Sequence, residues 1–419
     1  MKWLDILLRS AWHRRGTLSL AVLSIALSVF LLLGVERLQQ AARESFTQSV
    51  SGTDLVVGAR TSPVQLMLYA VFRLGEPTNG MDWQSYQKLA QHPAVAWSIP
   101  LSLGDSHRGF AVLGTNQDYF THFRYADKRP LSFAGGKPFN EVFEAVLGAD
   151  VAAKLGYKLG QNITLTHGSG ALNLPEHADK PFRVVGILQR TGTPVDRTVH
   201  VNLAAIEAIH LDWQGGAPLP GFSIPAQYVE KFDLTPKQIT ATLVGLKSRG
   251  GVFRMQRFVN NYRDEPLVAV MPGVALDQLW QLLAVAEQTL RVISLLVLAT
   301  GFCGMIAVVL ASLNERRREL AILRSVGAGA GTVLGLLMAE GSLLLLAGCV
   351  LGAGSLWLAC VAAAPWLEAQ FGIVVPLLPL TLGEARWLGI IIAAGALASL
   401  LPGWRAYRLS LADGLSARI

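Results

Sequence analysis

Cysteine is scarce in this 419-residue chain. There are three, Cys303, Cys349 and Cys360, all inside apolar runs. The long polar stretch between residues 36 and 290 has none, which excludes a disulfide framework there. Charge is also scarce. Only 16% of residues are Asp, Glu, Lys or Arg, and 52% are hydrophobic. Soluble domains carry roughly 25% charge and 45–50% apolar residues. The balance excludes a disordered chain or a coiled coil and argues against a purely soluble enzyme. Catalytic signatures are missing as well. The chain has no G-x-x-x-x-G-K-[ST] phosphate loop, no G-x-S-x-G, no H-E-x-x-H and no Cys/His cluster at zinc-finger spacing. Gly327-Ala-Gly-Ala-Gly331 lacks the phosphate-binding lysine and reads as a close-packed or flexible helix start.

What is present is apolar length. A membrane-spanning helix needs about 20 apolar residues at about 1.5 Å rise each. Charge-free runs cover 16–35, 292–313, 341–367 and 387–404. They predict four transmembrane helices, the third extending over 332–366. The first run exceeds a signal-peptide core, and no A-x-A site follows it before Glu36, so it reads as an uncleaved anchor. Residues 1–15, with Trp3, Leu4, Leu7, Leu8 and Ala11 opposite Lys2, Asp5 and Arg9, predict an interfacial amphipathic helix.

Basic residues set the expected orientation. Arg and Lys concentrate in 1–15, in the 314–328 link and in the 405–419 tail, whereas the 367–386 link holds only Arg386. The positive-inside rule then places both termini and the arginine-rich link in the cytoplasm. The net charge of +7 follows from this topology. No nucleic-acid signature accompanies it.

Residues 36–290 are expected to form an extracytoplasmic α+β domain, large enough for two subdomains. Strand-like runs fall at 54–59, 109–114, 161–166, 182–188, 198–202 and 239–246, and helix-like pieces at 83–91, 149–155, 203–210 and 253–261. Asp82 and Asn202 are candidate caps and Gly156 a helix stop. Residues 36–48 and 277–291 should continue the flanking spans as helical stalks. Seven of the eight histidines (92, 107, 122, 167, 177, 200 and 210) lie in this domain, no two at i,i+4. They read as scattered surface or hydrogen-bonded residues, although a metal site can assemble in three dimensions. No catalytic, cofactor-binding or metal residues are assigned. Glu340, the one charge between Ser325 and Leu367, is expected near the cytoplasmic entrance of the third span, in reach of water or an arginine.

The most informative segment is Asn314-Glu-Arg-Arg-Arg-Glu-Leu-Ala-Ile-Leu-Arg-Ser-Val-Gly327. On a helix, Glu315 and Glu319 share one face, and Leu320, Leu323 and Arg324 share another. A topology-setting arginine cluster accounts for the charges, but not for the apolar Leu320–Leu323 stripe.

The stretch E-R-R-R-E-L-A-I-L-R-S-V-G-A (315–328), followed by M-A-E-G (338–341), resembles the coupling region of MacB/LolC/FtsX-type ABC transporter permeases. The tail from Pro402 through Ala406, Leu409, Ala412 and Asp413 to Leu415 resembles that family's C-terminal motif. V-L-G-A-D-V-A-A-K-L-G-Y-K-L-G-Q-N-I-T-L (146–165), F-R-V-V-G-I-L (182–188) and T-G-T-P-V-D-R (191–197) resemble its extracytoplasmic domain. No nucleotide-binding domain of the kind fused in MacB lies within these residues. The resemblance therefore implies a non-catalytic, stand-alone permease subunit of the bacterial inner membrane, with no cofactor of its own. It implies a second permease copy or paralogue, two copies of a separate ABC ATPase, and a periplasmic partner or lipoprotein. ATPase coupling would fall on Glu315, Arg316, Arg317, Arg318, Glu319, Leu320, Leu323, Arg324 and Gly327. The implied activity is mechanotransmission: ATP-driven movement exports or extracts a substrate on the far side of the membrane. The family also contains FtsX-like regulators that activate a cell-wall hydrolase, and a ligand-sensing signalling permease is a further alternative.

Overall fold

The computed structural model describes residues 15–75, 77, 79–168, 177–214, 217–218, 224–315, 325, 328–371, 375–402 and 404. Among the described residues its α-helices are α1 (Arg15–Gln48), α2 (Pro63–Ala70), α3 (Trp83–Ala90), α4 (Asp118–His122), α5 (Ala149–Leu155), α6 (Leu203–His210), α7 (Val252–Asn260), α8 (Pro272–Glu315), α9 (Ala330–Phe371) and α10 (Leu382–Ala398). Among the described residues, four stretches are long and apolar enough to cross a membrane: Arg15–Gln48, Pro272–Ala311, Gly331–Leu367 and Leu382–Pro402. The chain divides into a helical unit and a unit formed mainly by residues 42–283.

The second unit is built on an eleven-stranded sheet. Its strands are β1 (Leu55–Ala59), β2 (Val95–His107), β3 (Phe110–Thr115), β4 (Phe133–Gly136), β5 (Glu144–Leu147), β6 (Asn162–Ile163), β7 (Thr166–His167), β8 (Phe182–Leu188), β9 (Thr198–Asn202), β10 (Ala241–Leu246) and β11 (Leu267–Val270). The order is β11-β1-β10-β2-β3-β9-β5-β8-β4, with β7 added to β2 and β6 to β8. Pairing is antiparallel except for β9 on β3 and β5 on β8. The α+β expectation is met by helices packed on both faces of this sheet.

Strand alternation explains why both faces are covered. Side chains on a strand point alternately to opposite faces. In β1, Val56 enters a core with Leu66 and Tyr69 of α2, while Leu55 and Val57 enter another with Leu89 of α3 and Met255 of α7. In β5, Val146 joins the first core. Its neighbours Ala145 and Leu147 join a third, beneath Val151 of α5 and Ile209 of α6. One face thus carries a single core across the sheet, and the other carries two.

The long strand β2 joins the two halves. It pairs with β10 through residues 95–101 and with β3 through 102–107. Sequence reading missed it because it contains Pro100 and Gly104, both poor strand residues. Pro100 is tolerated because β2 has its β3 neighbour only from Ser102 onward, so a missing N–H there breaks no ladder. The predicted strand at 239–246 is likewise interrupted at Thr240, and that at 161–166 resolves into β6 and β7. Asn202 does cap α6, accepting from Ala204 N–H at 3.1 Å. Asp82 stands at the start of α3, but its side chain accepts from Gln238 Nε2 instead. Gly156 ends α5 in the left-handed region at φ 70°, where a side chain would be strained.

The T-G-T-P-V-D-R segment owes its form to one carboxylate. Buried Asp196 accepts from the backbone N–H of Thr191 and Gly192 and from the Thr191 hydroxyl. Burial raises its pKa, with those donors pulling the other way.

In the helical unit, α1 and α9 approach closely at two glycines. An added Cβ on Gly348 would stand 2.5 Å from Ile25 Cγ2, and one on Gly352 would stand 2.6 Å from the Ala26 carbonyl. This is the small-xxx-small packing of membrane helices, in which dispersion contacts replace the hydrophobic effect. The same helix α1 exposes Leu20, Leu23 and Leu27 on its outer side, as a bilayer permits. Helix α10 begins at Leu382, five residues before the predicted span. Thr381 and Glu384 form a capping box that satisfies its first backbone donors.

Candidate functional site

The expected coupling segment falls largely outside the described residues. Helix α8 reaches Glu315, whose backbone is described. Arg316, Arg317, Arg318, Glu319, Leu320, Leu323, Arg324 and Gly327 are not. The amphipathic helix expected over 1–15 and the tail 405–419 likewise lie outside, apart from Arg15. Glu340 lies in α9 and is 5% exposed within the helical unit.

A buried ion pair in the same unit was not foreseen. Arg37 of α1 and Glu384 of α10 form a two-point contact, Nε to Oε1 at 2.5 Å and Nη2 to Oε2 at 2.6 Å. They are 3% and 1% exposed. Glu384 also accepts from Thr381 N–H at 2.8 Å, so one carboxylate caps α10 and holds α1. At a separation of 347 positions in sequence, no local pattern reveals the pair.

The histidines of the sheet unit divide into two groups. Four have structural duties. His107 is held between the Thr164 carbonyl and the Tyr157 hydroxyl. His92 accepts from Ala94 N–H, and His122 stacks on Trp97. His200 is fully buried against Tyr119 and Phe120, and burial pulls its pKa down from 6.5 to about 3.

His200 makes a testable prediction. The folded state keeps this ring neutral, whereas the unfolded chain protonates it below 6.5. Its contribution is complete above that value and is lost as pH falls toward 3. Replacement by leucine should therefore reduce the loss of thermal stability between about pH 7 and about pH 4 by an amount on the order of a few kcal/mol. Near-UV circular dichroism melts of both proteins check this. An unchanged pH slope would remove His200 as the cause.

The other three histidines converge with an acid. His167 in β7 is the cross-strand partner of Asp105 in β2, and its Nδ1 lies 3.2 Å from Asp105 Oδ1. His210 closes α6. Its Nδ1 donates to the Ile206 carbonyl at 2.7 Å, which turns Nε2 toward His167 Nδ1 at 3.2 Å and Asp105 Oδ1 at 3.8 Å. His177 is anchored by its backbone N–H to the Leu165 carbonyl. Its ring packs on Trp213 and edge-on to His210, at centroid distances of 4.1 and 5.0 Å. It is fully buried, neither ring nitrogen has a hydrogen-bond partner among the described residues, and burial with the nearby His210 lowers its pKa to about 4. The ligand atoms of all four residues lie within 4.8 Å of one another. Nearby Lys180 is neutralised by Asp212 at 2.5 Å and Asp179 at 3.1 Å. A cleft of about 480 Å³ reaches Asp105 and His167 past Arg73, Gly104 and Gly168. Sequence reading separated these residues because β7, the 177 turn and the end of α6 meet only in the folded sheet.

Four membrane-length helices flanking and following a sheet-rich α+β domain define a membrane protein with an extracytoplasmic domain. Residues 18–229 match the MacB-like periplasmic core domain, and residues 291–411 match the FtsX-like permease C-terminal domain. The chain belongs to the MacB/FtsX-type permeases, the transmembrane components of ABC transporters, which work with a partner ATPase. Among solved structures it is similar to the periplasmic region of MacB from Actinobacillus actinomycetemcomitans. That likeness has 10% identity and a TM-score of 0.35, covering 56% of this chain and 94% of that one. It is also similar to the extracellular domain of the noncanonic ABC-type transporter YknZ from Gram-positive bacteria. Here the identity is 12% and the TM-score 0.29, covering 52% and 98%. No curated protein sequence matches the chain.

Proposed function

We propose that this permease transmits ATP-driven movement from a separate ATPase to its extracytoplasmic domain, there exporting or extracting a substrate. The observation that carries this reading is helix α8. It runs unbroken for 44 residues from Pro272, two residues after β11, to Glu315 at the start of the arginine-rich segment. A span alone needs about 20 residues. The remainder makes α8 a continuous mechanical element between the last strand of the sheet domain and the expected ATPase contact. The proposed partners are two ATPase copies, a second permease copy or paralogue, and a periplasmic protein or lipoprotein. The proposed location is the bacterial inner membrane, and the arginine distribution supports the cytoplasmic placement of both termini.

The topology is tested by cysteine labelling. Ser248 is exposed in the sheet domain. In a chain whose Cys303, Cys349 and Cys360 are replaced by alanine, Ser248→Cys should react with an impermeant thiol reagent on intact spheroplasts. Labelling only after lysis would reverse the orientation and, with it, the direction of transmission.

A further inference from the structure

We infer that Asp105, His167, His177 and His210 form a binding site for one zinc ion in the extracytoplasmic domain. The spacing of the donor atoms is the first ground. Four ligands at zinc bond lengths of about 2.0–2.1 Å define a tetrahedron with edges of about 3.3 Å. Three edges are already close to that length. Asp105 Oδ1, His167 Nδ1 and His210 Nε2 form a triangle of 3.2, 3.2 and 3.8 Å. The donor of His177 completes the group, all four ligand atoms lying within 4.8 Å of one another.

The second ground is independent of spacing. His177 is fully buried, and both its nitrogens lack a hydrogen-bond partner among the described residues. A buried polar group left unmet costs about 1–3 kcal/mol. An ordinary hydrogen-bonded cluster accounts for His167 with Asp105 but gives His177 nothing. A cation at the centre of the group gives it a partner.

The outer contacts also fit a metal site. Metal-bound histidines commonly donate their other ring N–H to a carbonyl, which fixes the tautomer. His210 does this through Nδ1 to Ile206, leaving Nε2 free to ligate. Three imidazoles and one carboxylate suit zinc better than calcium or magnesium, which prefer oxygen. Four protein ligands also fill a tetrahedron, so the bound ion would clamp β2, β7, the 177 turn and the end of α6 together, not activate water.

The test uses the full chain in detergent, without a polyhistidine tag. Protein stripped with a chelator is equilibrated with Zn²⁺ and desalted, and zinc is counted by plasma spectrometry. One zinc per chain is expected. His167 is 37% exposed at its side chain, so His167→Ala should fold normally. It should weaken zinc binding by at least about 10–100-fold, the loss produced by disturbing even outer-shell partners. Asp105→Asn should act in the same direction. A His92→Ala/His122→Ala double variant should keep its zinc. Co²⁺ in place of zinc should show the strong visible absorption of a tetrahedral site, which His167→Ala abolishes. Wild-type protein that retains no zinc, or a His167→Ala variant that retains it unchanged with the same cobalt spectrum, would overturn the assignment.

Discussion

Glu384→Ala should destabilise the helical unit by about 3–5 kcal/mol, the cost of breaking a buried ion pair by removing one partner. Arg37 would keep its charge at 3% exposure with no counter-ion among the described residues, where its Nη1 already lacks a hydrogen-bond partner. The same change removes the capping acceptor of α10, worth about a further 1 kcal/mol. Glu384→Gln should cost less, because the amide oxygen can still accept from Thr381 and Arg37 while the charge is gone. The informative comparison is the double variant Arg37→Leu/Glu384→Leu. Replacing both members of a buried pair by apolar side chains of similar volume is often neutral, so the double variant should recover most of the loss. Thermal aggregation of the detergent-solubilised chain measures all three. A single variant that melts like the wild type would show that the pair contributes nothing to holding α1 against α10.

The second large effect concerns the segment after Glu315. Glu319→Ala combined with Leu323→Asp should abolish stimulation of the partner ATPase while leaving insertion and the sheet domain intact. On a helix continuing from α8, Leu320 and Leu323 would form a short apolar stripe edged by Glu315, Arg318 and Glu319. Such a stripe at the cytoplasmic end of a span has no bilayer to bury in, and it suits a groove on a partner. Central apolar anchors of an interface commonly cost 2 kcal/mol or more when lost, so coupling should fall by about 30-fold or more. Stimulated ATP turnover in reconstituted membranes, together with complex recovery by affinity purification, reads the result. The competing reading gives this segment only a topological role. On that reading, changes to Arg316, Arg317 and Arg318 disturb insertion, and the Glu319/Leu323 variant behaves as the wild type.

The sequence by itself determined the parts that depend on local pattern. Apolar length alone specifies the four spans, since a bilayer demands about 20 residues of helix whatever the packing. Short strand-like runs rich in β-branched or aromatic residues marked β1, β3, β8 and β9, and Asn202 and Gly156 marked helix ends. The segment 314–327 stands out in the sequence because arginine clusters and an apolar stripe coincide within 14 residues, and its coupling role is the proposal made above. Only the tertiary structure decided the rest. Strand β2 was hidden because Pro100 is acceptable only where a neighbouring strand is missing. The inward face of α1 could not be read, since Leu20, Leu23 and Leu27 facing outward are as apolar as Ile25, Val29 and Leu33 facing inward. In a bilayer both faces are apolar, so hydrophobic periodicity carries no direction. Arg37 met Glu384, and Asp105 met His167, His177 and His210, through contacts between distant segments. A charge or an imidazole gains its chemistry from what stands within a few ångströms of it, and for these residues the chain order holds no record of that distance.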